Sequence, residues 1–76
     1  MKHVVEVFDR QTEQLLMDVD VPADRYDDLK RLMNWPEPED EFDAEDLSPA
    51  QIKVLESWTG KSLMGETHIV QLVCVE

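Results

Sequence analysis

Seven carboxylates, Glu37, Glu39, Asp40, Glu41, Asp43, Glu45 and Asp46, fall within ten consecutive residues. Without them the formal net charge of -11 would be -4, so the acidity is concentrated in one place. Carboxylates at such density can bind a metal, exchange protons or pair with cations. The calcium-loop pattern fails on spacing, since it needs alternating oxygen ligands, a glycine at the sharp turn and a closing glutamate. The first glycine here is Gly60. Acid–base work needs an enclosed pocket that drives two carboxyl pKa values apart, and an exposed acidic stretch offers none. Pairing with cations is left. Carboxylates bind Arg bidentately, and a patch of one sign speeds the encounter with its opposite. Trp35 and Phe42 add large apolar area to the acids, the composition of a binding hot spot. The plain alternative is a solvated linker held extended by self-repulsion and by Pro36 and Pro38. Asn34 to Asp46 is thirteen residues, long for a helix connection in a compact domain.

The other reactive residue types point to structure. Cys74 lies in the most apolar segment with no neighbouring cation, so an inert buried thiol is expected. His3 and His68 stand near opposite ends of the chain; if the first and last strands pair they could come close, but a metal site would need further ligands. Ser48 is claimed by a helix cap, and Ser57 and Ser62 have no adjacent base. No glycine-rich phosphate loop exists. The expectation is a non-enzymatic protein without metal or cofactor.

With 76 residues the chain is one domain, 1–76, and buries roughly 60% of the surface its unfolded form exposes. Hydrophobic residues make up 42%, enough to fold despite the charge. One cysteine allows no internal disulfide, and neither the N-terminus nor any later stretch reads as a signal peptide or membrane span, so the cytoplasm is the expected compartment. Direct binding of nucleic acid or of an anionic membrane is disfavoured by the sign of the charge.

These residues must be held by a small set of elements. Val4 to Asp9 is β-branched and aromatic and predicts a strand. Leu15, Met17, Val19 and Val21 alternate with Asp18 and Asp20, predicting an antiparallel partner joined by a four- or five-residue loop. Asp24 is placed to cap a helix reaching about Met33, with Tyr26, Leu29, Leu32 and Met33 inward and Asp27 paired to Arg31. Ser48, Pro49 and Gln51 form a capping box at the head of a second helix, with Leu47 and Ile52 as its staple and Gly60 as its stop. Thr67 to Val75, apolar on both faces, predicts a covered strand beside the first. The expected fold is α+β, β-β-α-α-β, a three-stranded mostly antiparallel sheet with two helices on one face and an acidic inter-helix loop at 34–47.

The opening strand with Thr12 and Glu13 in its turn, the helix with Leu29 and Leu32, the block from Asp46 through Gln51 to Gly60 and the final strand together resemble small bacterial immunity proteins. Such proteins neutralise the nuclease domains of contact-dependent inhibition or colicin-like toxins. The resemblance implies a cytoplasmic monomer that binds one basic toxin domain, acting on tRNA or other nucleic acid, and covers its substrate-binding face. The surface expected to do so comprises the seven loop acids with Trp35 and Phe42, extended by Asp24, Asp27 and Asp28 of the first helix. Two other readings stand beside it. One is a phage- or plasmid-encoded nucleic-acid mimic that inhibits a nuclease, which would spread its acids at phosphate-like spacing. The other is a homodimeric adaptor joined through an apolar edge strand.

Overall fold

The structure, a computed structural model, describes residues 2–75 and, within them, every side chain except those of Pro38 and Glu41. Its elements are β1 (Lys2–Asp9), β2 (Leu15–Asp20), α1 (Tyr26–Met33), β3 (Glu45–Asp46), α2 (Pro49–Thr59) and β4 (His68–Val75). Short 3₁₀ turns occupy Ala23–Arg25 and Pro38–Phe42. The strands form one antiparallel sheet in the order β2-β1-β4-β3, so the fold is α+β.

β4 lies beside β1 over its whole length, from Lys2 opposite Val75 to Asp9 opposite His68. The expected three strands become four because Glu45 and Asp46, inside the acidic segment, pair with Leu72 and Gln71. Two acidic residues carry neither strand propensity nor a readable period, so this strand exists only because β4 offers it an edge.

Alternation decides what each strand buries. Val5 and Val7 of β1 and Val70 and Leu72 of β4 point to one face, where they meet Leu29 and Met33 of α1 and Ile52 and Leu55 of α2. Val5, Val7, Leu29 and Leu55 are fully buried. Each such side chain contributes about 1.5–3 kcal/mol relative to exposure. Met17 and Val19 flank this core as expected, but Leu15 does not. The β1–β2 register shifts between Val7 and Phe8, so Val7 faces Met17 while Phe8 faces Leu15, and Leu16 is the extra residue. This bulge turns Leu15 to the outer face, and Leu15 and Leu16 are 44% and 48% exposed.

The five-residue β1–β2 loop is closed by Asp9, whose Oδ1 accepts from the amides of Gln11 (2.8 Å) and Thr12 (3.1 Å). The second helix starts and stops as its residues dictate. Ser48 Oγ accepts from the Gln51 amide at 3.3 Å, Gln51 Oε1 accepts from the Ser48 amide at 2.9 Å, and Gly60 ends the helix at φ +71°. Ser48→Ala should lower stability by about 1 kcal/mol, measured as a shift in the urea midpoint without a change in slope. The first helix begins differently from expectation: a 3₁₀ turn precedes it and its cap position, Arg25, makes no side-chain cap, so Asp24 does not cap it. Arg31 pairs with Asp28 at 3.1 Å, where the sequence suggested Asp27.

Leu63 is fully buried in an irregular stretch, a burial that no local periodicity announces. Glu56 secures it from α2, its Oε2 accepting from the amides of Leu63 (2.7 Å) and Met64 (3.1 Å). Those two amides hold the Glu56 carboxyl below its ordinary 4.5, as the amides of Thr12 and Gln11 hold Asp9 below its ordinary 3.8. A carboxylate with a depressed folded-state pKa adds stability that is fully present above its unfolded value and is lost as pH falls through the folded value. Glu56→Gln should therefore lower the melting temperature at pH 7, and the difference from wild type should shrink as pH falls below about 4.5. A difference that stayed constant across that range would assign the effect to packing.

Candidate partner-binding surface

The acidic segment begins where α1 ends. Asn34 takes the left-handed conformation at φ +50° and turns the chain off the helix. Trp35 then folds back: its ring stacks on His3 at 5.8 Å and 25°, its indole packs against the core, and its Nε1 donates to Glu45 Oε2 at 3.1 Å. The 3₁₀ turn follows, with the Glu37 amide donating to Asp40 Oδ2 (3.2 Å), the Asp40 amide to the Glu37 carbonyl (3.1 Å) and the Asp43 amide to the Asp40 carbonyl (3.2 Å). Beyond it, β3 joins the sheet, Gln71 Nε2 donates to Asp46 Oδ1 at 2.8 Å, and the buried Leu47 donates its amide to the Val70 carbonyl at 3.0 Å. The thirteen residues are thus tied to β1, to themselves and to β4.

Glu37, Glu39, Asp43, Glu45 and Asp46 are exposed and Asp40 is half-buried. The side chain of Glu41 lies outside the described residues. No Lys or Arg occurs between Arg31 and Lys53, so the segment's charge is not offset within it. The two aromatic residues divide: Trp35 is taken up by packing, whereas Phe42 is 56% exposed among the acids. Asp24, in the 3₁₀ turn, and Asp27, on α1, are exposed, but Asp28 sits between Arg25 (3.2 Å) and Arg31 (3.1 Å) and presents little uncompensated charge.

The remaining chemistry-bearing side chains are dispersed. Antiparallel pairing sets His3 opposite Cys74 and His68 opposite Asp9. The histidines are therefore six residues apart along the ladder, about 20 Å at the usual strand rise, and the proximity considered from the sequence does not arise. His68 Nδ1 lies 3.4 Å from the Leu63 carbonyl, and His3 is buried between Tyr26 and Trp35. Cys74 is a free thiol, half-buried where full burial was expected. Ser57 Oγ donates to the Val54 carbonyl at 2.6 Å. Among the described residues no three His, Cys, Asp or Glu side chains converge as a metal site, and no helix is long and apolar enough to cross a membrane.

Among the described concavities, one of about 580 Å³ takes in Asp46 and Leu47 at the end of the acidic segment, beside Pro49, Ile52 and Val70. Another of about 340 Å³ is lined by His3, Val21, Pro22, Tyr26 and Leu29, none of them from the acidic segment. What the acidic residues make is an open, anchored, negatively charged surface.

A family model, DUF7683, described as a domain of unknown function, matches residues 2–73. The chain belongs to the DUF7683 family. No curated protein and no solved structure matches it. The part common to DUF7683 takes in the whole acidic segment, both helices and all of β4 but Cys74 and Val75. Within this DUF7683 chain the ties from Trp35 to Glu45 and from Gln71 to Asp46 were not read from the sequence. One signal was available, since a packed indole N–H needs an acceptor and the acids supply several within reach.

Proposed function

We propose that this chain is an inhibitor of the immunity type: a cytoplasmic monomer that binds the basic nuclease domain of a toxin one to one and covers its substrate-binding face. The observation that carries the reading is the anchored acidic surface, with exposed Glu37, Glu39, Asp43, Glu45 and Asp46 around exposed Phe42 and no cation in the segment. A nuclease cleft holds phosphates with Lys and Arg, and carboxylates on a fixed backbone are its electrostatic complement. Because the segment is already tied down by hydrogen bonds, binding need not first order it, which leaves more of the contact energy as affinity. Exposed Asp24 and Asp27 extend the negative field and act on the encounter.

Phe42 is the apolar anchor in this reading. Phe42→Ala should weaken the complex about tenfold or more, chiefly through faster dissociation, as central aromatic anchors do. Surface plasmon resonance on the purified pair reads both rates. The function itself is tested by titrating the partner's nuclease activity with this protein. Loss of activity at one equivalent is expected, and undiminished cleavage with excess protein present would overturn the proposal.

The structure weighs against the edge-strand dimer. The open edge strand β2 is short, bulged and carries Asp18 and Asp20, features that discourage pairing between sheet edges.

A further inference from the structure

Both helices pack on one face of the sheet, and the other face has a composition unsuited to plain solvent exposure. The register sets Asp18, Glu6, Gln71 and Asp46 side by side, one from each strand, as a polar row across the whole sheet. Glu6 and Asp18 are directly opposed, an arrangement that destabilises a sheet through like-charge repulsion. On one side of this row runs an apolar row of Leu15, Phe8 and Ile69, and on the other Asp20, Val4 and Val73, of which Val4 is already buried by its neighbours and Val73 is half-buried. Lys2 is the one cation at a register position of this face, and it is paired with Asp20 at 3.2 Å. Phe8, Ile69 and Gln71, with Glu13, line an open depression of about 320 Å³. β4 is apolar on both faces, the pattern of a strand covered on both sides, yet its outer residues Ile69 and Val73 are only half-buried.

We propose that this outer face docks a basic amphipathic segment of a partner protein, whose Lys or Arg side chains align with the Asp18–Glu6–Gln71–Asp46 row and whose apolar side chains rest on the rows to either side. Charge complementarity selects that occupant. A second copy laid face to face would set carboxylate rows against carboxylate rows in a chain of net charge -11. A cationic segment instead relieves the Glu6–Asp18 repulsion, and the depression at Phe8 and Ile69 accepts one of its apolar side chains. The surface shares only Asp46 with the acidic segment, so it stands or falls separately from the proposed inhibitor function.

The test uses a synthetic Leu/Lys amphipathic helix as the probe and a scrambled peptide of the same composition as its control, with amide and methyl NMR shifts of the full chain as the readout. Expected are saturable shifts at Glu6, Phe8, Ile69, Gln71 and Val73 with the amphipathic peptide, and weaker, diffuse ones with the scrambled peptide. The double variant Glu6→Gln, Asp18→Asn should stay folded, since it removes a repulsion, and should bind the probe about tenfold more weakly. Neutralising Glu37, Glu39 and Asp43 should leave the shifts at the outer face unchanged. Shifts confined to the acidic segment, equal binding of both peptides, no binding at all, or self-association through the outer face would each overturn the proposal.

Discussion

Leu55→Ala should destabilise the protein by about 2–5 kcal/mol, and at 37 °C a large part of the population should unfold. A chain of 76 residues holds only about 4–11 kcal/mol of total stability, so one cavity of this kind removes much of it. Leu55 is fully buried where α2 meets Val5, Val7 and Leu72 of the sheet, and the sheet's thin single core has no second layer of side chains to close the gap. Urea unfolding followed by circular dichroism should show the midpoint fall with the slope unchanged. A loss below about 1 kcal/mol, the range of exposed positions, would mean that the inner face of α2 does not support the sheet.

Replacing Glu37, Glu39, Glu41, Asp43 and Asp46 by their amides should slow association with the basic partner about 10- to 100-fold at low ionic strength, within the range that electrostatic steering supplies. Dissociation should change much less. Asp40 and Glu45 are left in place because they accept hydrogen bonds from the Glu37 amide and from Trp35 Nε1, and Asp46→Asn keeps the Oδ1 that accepts from Gln71 Nε2, so the ties that anchor the segment are retained. Wild-type association should fall steeply between 50 and about 500 mM salt, as expected when the Debye length shrinks from above to well below 10 Å, and the variant should respond weakly. Unchanged association with a faster off-rate would assign the acids to short-range contacts and remove steering from the mechanism.

The parts of the fold legible in the sequence are those set by neighbours along the chain. Ser48, Pro49, Gln51 and Gly60 specify the ends of α2 within a dozen residues, and the structure has both caps. Tyr26, Leu29, Leu32 and Met33 mark the inner face of α1 because their spacing is helical, and Leu29 and Met33 are buried. What was not legible depends on distant partners. The pairing of Glu45 with Leu72, the bulge that turns out Leu15, and the burial of Leu63 under the grip of Glu56 are settled by the sheet and by α2, not by local pattern. Asp24 illustrates the converse: its type suits a cap, but the 3₁₀ turn after Pro22 takes the start of the helix away from it.

The candidate surface divides in the same way. Its charge is visible in composition alone, as is the exposure that follows from seven acids in ten residues. That the segment is held in place is not visible. Anchoring rests on Trp35 reaching His3 and Glu45, and on Gln71 reaching Asp46 across 25 residues of sequence. The division of roles between the aromatic residues likewise rests on a distant partner: Trp35 is packed because its ring meets His3 of β1, whereas Phe42 is left exposed.

The central claim, that the anchored acidic segment binds a basic partner, is tested most directly by a paired capture from the host cell's lysate. Wild type and the five-amide variant are immobilised side by side and eluted with increasing salt. One basic nuclease domain retained by wild type, released by salt and lost from the variant is the expected result. Equal retention of the same partner by both proteins, or a wild type that captures no basic protein and forms a salt-insensitive dimer, would contradict it.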